Sequence, residues 1–146
     1  MDVSGLYWRK SALTAAKCPP GLLALRNGRV SFTTATSVVF DEPATAVSGA
    51  LSGWGSLAIT AAGTRYVLLK NVGQLSEPFT KTQQQAIDAA TRSTSLRTIA
   101  EWPAILTAAG AHVSAPRLNY RPWLLGVILV AVAAGATIGL IATGGF

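Results

Sequence analysis

The sequence predicts a mainly β fold with added helices: a small antiparallel barrel or sandwich, closed by a helix and followed by one membrane-spanning helix. Three observations predict this class. Short apolar runs with turn signals between them fill residues 5–70, and good helix formers replace them from Thr80 onward. The run from Trp123 to Phe146 carries no charged side chain. The 146 residues leave room for one compact domain and an anchor.

The clearest β signal is the pair Asn27-Gly28, which lies between two apolar runs. Both residues tolerate the positive φ of a type I′ turn, so we expect a hairpin there. Apolar residues alternate with polar ones on both sides of the turn, as in half-buried strands. The inward-facing residues would be Leu23, Leu25, Val30 and Phe32.

Further strands are expected at residues 37–40 and 44–51, with the stretch Asp41 to Pro43 breaking the chain between them. A second hairpin is predicted around residues 61–64, and the Gly-rich stretch 52–55 reads as a connection with a half-exposed Trp54. This gives about six short strands. The inward residues of the second hairpin would be Leu57, Ile59, Tyr66 and Leu68.

Helices are predicted after Thr80, which is a plausible N-cap, and after Ser95. Pro103 should kink or divide the second helix, and Gly110 suits its C-terminal end. Apolar residues of the second helix recur at steps of three or four: Leu96, Ile99, Trp102, Ile105, Leu106 and Ala109. The predicted organisation is a domain over 1–111, a linker over 112–121 and a membrane helix over 122–146.

The uncharged run from Trp123 to Thr143 has 21 residues, about the number that a helix needs to cross a bilayer. Twelve Lys and Arg against six Asp and Glu give a net charge of +6, and all of these charges lie at or before Arg121. The start of the chain lacks the continuous apolar stretch of a signal peptide. We therefore expect a single-pass protein of the bacterial inner membrane with a cytoplasmic N-terminal domain. The membrane-interface residues would be Arg117, Tyr120, Arg121 and Trp123.

Small residues recur at every fourth position of the uncharged run and would line one helix face. They are Ala131, Gly135, Gly139 and Thr143. The spacing of Gly135 and Gly139 lets two helices approach closely in lipid. The predicted partner is therefore another membrane helix, and ordinary membrane-helix composition is the competing interpretation.

Side chains for catalysis, cofactors or metal are not expected. His112 is the one histidine and Cys18 the one cysteine, too few for a usual zinc site or a catalytic triad. Asp41 and Glu42 are adjacent, so on a strand they would point to opposite faces. The basic residues look scattered along the sequence, which argues against nucleic-acid binding and leaves attraction to anionic lipid open.

The stretches "GLLALRNGRVSF", "VVFDEP", "GSLAI" and "GTRYVL", followed by a helix with Trp102, resemble bacterial pleckstrin-homology-like or GRAM-like domains. The resemblance covers roughly residues 5–110. It implies a small β-barrel capped by a C-terminal helix, and binding or scaffolding rather than catalysis. Members that bind phosphoinositides carry clustered Lys and Arg in the first hairpin loop. In this sequence the Asn27-Gly28 hairpin offers only Arg26 and Arg29.

Two functions follow as expectations. The first is a non-catalytic accessory or assembly subunit of a larger bacterial membrane complex, such as a respiratory oxidase or a lipid or cell-envelope transporter. The second is a membrane-anchored domain that binds anionic lipid by itself. The Ala- and Thr-rich composition suggests a high-GC bacterium such as an actinobacterium.

Overall fold

A computed structural model describes residues 1–10 and 17–114, which belong to one compact unit, Met1–Pro116. The strands are β1 (Asp2–Arg9), β2 (Pro20–Arg26), β3 (Arg29–Thr34), β4 (Val38–Pro43), β5 (Ser48–Leu51), β6 (Ser56–Ala61), β7 (Thr64–Leu69) and β8 (His112–Ser114). The helices are α1 (Lys81–Arg92) and α2 (Trp102–Ala108), and short 3-10 turns cover Ala44–Ala46, Gly73–Leu75 and Ile99–Glu101. Within this part of the chain, neither helix is long and apolar enough to cross a bilayer.

All eight strands belong to one sheet, in the order β4-β3-β2-β1-β7-β6-β5-β8. Every neighbouring pair is antiparallel except β5 and β8, which run parallel. The predicted mainly β class with added helices is confirmed at this level. β1, the first strand in the sequence, lies in the middle of the sheet. One edge of β1 pairs with β2 and the other with β7, so β1 joins the two halves of the sheet.

The sheet is strongly curved. In a flat sheet β4 and β7 would be four strand spacings apart, roughly 19 Å. Instead the rings of Phe40 on β4 and Tyr66 on β7 have centroids 5.0 Å apart. The two halves of the sheet therefore face each other across one core.

Both predicted hairpins are present, and the first turn has the left-handed backbone that Asn27-Gly28 indicated. Asn27 and Gly28 have φ of 51° and 73°, and Ala62 and Gly63 have φ of 49° and 79°. Positive φ at both central residues is the mark of a type I′ turn. Of the predicted inward residues, Leu25 and Tyr66 are partly buried and pack against the core. The others are completely buried: Leu23, Val30, Phe32, Leu57, Ile59 and Leu68.

The sequence missed two strands and misplaced one break. β1 was not predicted, because its apolar residues do not follow the period-2 alternation of a half-buried strand. β8 forms within the range that the sequence assigned to the linker. Asp41 to Pro43 continue β4 instead of ending it, and the residues before β5 form a 3-10 turn. The pairing of β4 with β3 supplies the hydrogen bonds that override the local breaker signal.

Helix α1 lies on the outer face of β1 and β2. Thr80 caps it, as predicted, through a reciprocal pair of hydrogen bonds with Gln83. The side-chain amide of Gln83 also donates to the carbonyl of Pro20 at 3.0 Å. A Cβ on Gly5 would lie 2.8 Å from Cδ1 of Ile87, so a glycine on β1 is what lets the helix lie this close.

Helix α2 packs on the opposite, inner face, and its Trp102 and Leu106 are completely buried. The predicted cap at Ser95 is wrong, because residues 95–97 are extended beside β1. Pro103 does not kink the helix; it lies in the first turn, where its missing N–H costs nothing. Gly110 has φ of 93° just past the helix end, as the sequence indicated.

Replacing Gly21 with Ala should destabilise the fold, because the new methyl group would collide with the ring of Phe32, which is completely buried. We expect a loss of about 1–3 kcal/mol in the free energy of unfolding. Gly53 is the matched control, since a Cβ there meets no atom within 4 Å and its φ is not positive. Chemical denaturation of both variants checks this, and equal stability of the two would contradict it.

Candidate interaction surface

The strand register defines two opposite ends of the domain, the basic end and the exit end. The basic end holds the C-terminal end of β1, the start of β2 and the β6–β7 turn. The exit end holds the Asn27-Gly28 turn, the β5–β6 turn and Ser114, where the chain leaves β8. α1 runs from the basic end toward the exit end, since Gln83 bonds Pro20 and residues 95–97 bond the start of β1.

A gap between β1 and β7 lets the chain cross from the outer to the inner face of the sheet. β1 pairs with β7 only at Tyr7 to Arg9. Nearer its start, Val3 donates from its backbone N–H to the carbonyl of Ser95 at 2.9 Å and accepts from the N–H of Arg97 at 2.8 Å. The crossing segment, residues 95–97, therefore supplies the start of β1 with the hydrogen bonds that β7 does not.

The hydroxyl of Ser4 holds this crossing from inside. It donates to the carbonyl of Arg97 at 2.5 Å and accepts from the indole N–H of Trp102 at 2.7 Å. Ser4 and Trp102 are both buried, and no buried side-chain N or O atom in the described part of the chain lacks a partner. One hydroxyl thus fixes both the crossing segment and the helix behind it.

Replacing Ser4 with Ala should cost about 1–3 kcal/mol of folding free energy, because the indole N–H of Trp102 would be buried without a partner. Replacing Trp102 with Phe removes the N–H as well. The loss from the double variant should therefore be smaller than the sum of the two single losses. Chemical denaturation of the four proteins checks the coupling, and strict additivity would show that the bond does not stabilise the fold.

Four exposed basic residues gather around the end of β1, the start of β2 and the β6–β7 turn: Arg9, Lys10, Lys17 and Arg65. Arg9 lies opposite Val67 in the β1–β7 pair, which places Arg65 two residues further along the same face of the neighbouring strand. The ammonium group of Lys10 lies over the ring of Trp8, 4.8 Å from its centroid. The acidic residue Glu77 directly follows Ser76, which forms an isolated bridge with Cys18 near the start of β2.

The expectation that the basic residues are scattered is therefore wrong for this end of the domain. Without β1, the hairpin at Asn27-Gly28 would be the first one in the chain. The first hairpin is instead β1–β2, which Arg9 and Lys17 flank. At Asn27-Gly28, Arg29 bonds Asp41 with its Nε 2.9 Å from the carboxylate oxygen. The signal that could have found the cluster is Arg9-Lys10 directly after the apolar run Leu6 to Trp8.

The side chains weighed for chemistry lie apart. Cys18 is buried, whereas His112 is exposed at the start of β8. Asp41 and Glu42 lie on β4, one exposed and one partly buried. Within residues 1–10 and 17–114, no group of three or more His, Cys, Asp or Glu is placed to hold a metal ion.

One carboxylate has a perturbed pKa. The backbone N–H of Thr98 donates to the Glu101 carboxylate at 2.6 Å, and the Thr98 hydroxyl donates to the same oxygen at 2.9 Å. These bonds favour the charged form, so the pKa of Glu101 lies below its ordinary value of 4.5. Glu101 is exposed and directly precedes Trp102, so these bonds stabilise the turn that leads into α2.

Two grooves flank α1 on the outer face of the sheet. The larger has a volume of about 410 Å³ and an apolar lining that includes Val3, Ala24 and Ala90. The smaller, about 360 Å³, lies toward the basic end, and its lining includes Thr33, Thr34 and Thr82. Such volumes fall within the range of small-molecule pockets. Both grooves are half open to solvent, so they are surface clefts rather than enclosed cavities.

The residues predicted for helix packing and for the membrane interface lie outside the described part of the chain, so those predictions stay predictions. They are Ala131, Gly135, Gly139 and Thr143, and Arg117, Tyr120, Arg121 and Trp123. No protein-family model, curated protein or solved structure matches the chain. The basic end is therefore the candidate surface with the most support from the described residues.

Proposed function

We propose that this chain is a non-catalytic single-pass membrane protein, an accessory or assembly subunit of a larger bacterial membrane complex. The uncharged run of residues 123–146 anchors it, and the N-terminal domain docks on a partner subunit at the cytoplasmic face. The basic end carries this proposal. Four cations on one end suit an acidic protein surface, where complementary charge gives specificity and fast association.

The finer fold assignment is part of the same proposal: a pleckstrin-homology-like barrel capped by a helix. The curved sheet and the burial of Trp102 on a helix after the seventh strand support it. Domains of this kind bind or scaffold, which agrees with a docking role. A respiratory oxidase or an envelope transporter of an actinobacterium is an example of a suitable complex, with a slight preference for the first.

Reversing two charges at the basic end should release the partner. Lys10→Glu with Arg65→Glu lowers the net charge by four units and replaces attraction with repulsion, so partner recovery should fall several-fold. Arg26→Glu with Arg92→Glu is the matched control, since it changes net charge equally and alters exposed residues near the exit end. Affinity purification from native membranes with quantitative mass spectrometry measures recovery.

The outcomes of this purification separate the two functions. Loss of partner subunits with the basic-end variant alone supports the docking role. Recovery of the natural protein without any partner subunit would contradict the docking role. The second candidate, an anionic-lipid-binding domain, is favoured by the same four cations. If the domain binds lipid, the basic-end variant should lose co-purified anionic lipid, and no protein partner should appear in either sample.

The small-residue row offers a second test inside the membrane. Gly135→Leu with Gly139→Leu should leave insertion intact, because leucine is apolar, and should weaken association by preventing close helix approach. Ala133→Leu with Thr137→Leu places the same bulk about half a turn away. We expect only the glycine variant to lose its partner in the purification. Equal recovery from both variants would show that the row is ordinary membrane composition.

A further inference from the structure

Trp54 is the most exposed large hydrophobic residue in the described part of the chain. Its side chain is 97% exposed, although the other aromatic rings of the domain are buried or partly buried. The sequence predicted the turn but expected a half-exposed ring. Complete exposure of an indole keeps much apolar surface in water, and large exposed apolar groups commonly mark contact sites.

Hydrogen bonds within the turn that carries Trp54 hold its backbone. The Ser52 hydroxyl accepts from the backbone N–H of Trp54 at 3.3 Å and of Ser56 at 3.2 Å, and it bonds the Ser56 hydroxyl at 2.7 Å. Ser52 N–H also donates to the Ser56 carbonyl at 2.8 Å. Gly55 supplies the positive φ, 75°. These bonds fix the conformation of the turn, and the indole of Trp54 projects from it into solvent.

The position of this turn relates it to the rest of the chain. β8 runs parallel to β5 with Ser114 opposite Ala50, so the chain leaves the sheet beside the strand that leads to Trp54. Ser56 pairs with Leu69, which places the exposed Lys70 next to the same turn. In the sequence, eight residues separate Ser114 from Trp123, a reach of roughly 30 Å when fully extended.

We infer that Trp54 and Lys70 form a second contact with the bilayer surface, beside the point where the chain leaves the domain. The inference rests on the proposed function for its anchor. Tryptophan rings favour the headgroup level of a membrane, where the indole body is in apolar surroundings and its N–H stays hydrated. A lysine next to it adds attraction to anionic headgroups.

Two of the arginines near the exit end already pair with carboxylates of the domain. Arg29 bonds Asp41, and Arg97 bonds Asp2 with its Nε 2.6 Å from the carboxylate oxygen. The indole supplies the main attraction and Lys70 a local one. With the exit end against lipid, the four cations of the basic end face away from the bilayer, where a protein partner can reach them.

The test uses the full chain reconstituted in vesicles that contain bromine-labelled lipid, a quencher of tryptophan emission. The emission of Trp54 is obtained as the difference between the natural protein and Trp54→Ser. We expect most of this emission to be lost in bromine-labelled vesicles and to be shielded from aqueous acrylamide. Trp8 is the matched control at the basic end, measured with Trp8→Phe, and its emission should be unaffected by the labelled lipid.

Membrane insertion is measured separately by resistance to carbonate extraction. Release of the protein overturns both the anchor and this inference. Retention with Trp54 open to acrylamide and untouched by the labelled lipid overturns this inference alone, as would quenching of Trp8 in its place. Lys70→Ser should weaken Trp54 quenching in phosphatidylglycerol vesicles and leave it unchanged in phosphatidylcholine. An equal effect in both lipids would remove Lys70 from the contact.

Discussion

The shared hydroxyl of Ser4 is the interaction on which the rest of the domain depends. β1 can pair with β7 over only three residues, so its first half needs other hydrogen-bond partners. The crossing segment at 95–97 provides them, and Ser4 ties that segment to Trp102. Because unmet buried polar groups are costly, this bond fixes where the chain passes from the outer helix to the inner one. The position of α2, and through it the start of β8, follows from that passage.

Much of the sheet could be predicted because its turns are set locally. Asn27-Gly28 and Ala62-Gly63 require positive φ, and the alternation around them identifies the core residues directly. β1 could not be predicted in this way because its apolar residues do not alternate, and β8 could not because its pairing partner β5 lies far away in sequence. The predicted break at Asp41 to Pro43 is wrong because pairing with β3 decides the conformation there. Local signals were reliable where local geometry is the constraint.

The candidate surface depended on the strand that the sequence missed. Arg9, Lys17 and Arg65 look unrelated in sequence, and only the pairing of β1 with β2 and β7 brings them to one end. The exposed indole of Trp54 had a local signal, a Gly-rich turn, but its full exposure depends on which way the turn projects from the sheet. The two ends therefore differ in chemistry: one is cationic, and the other presents an aromatic ring beside the departing chain.

The central place of β1 also affects the order of events as the chain is made. Ser4 and Trp102 are 98 residues apart, and ribosomes add about 5–20 residues per second, so roughly 5–20 s pass before they can meet. During that interval the free edge of β1 has unpaired backbone groups that can bind another strand. Contacts this distant in sequence also slow folding. Because Trp102 must leave the ribosome before the core can close, the unpaired edge of β1 has to stay protected for that whole interval.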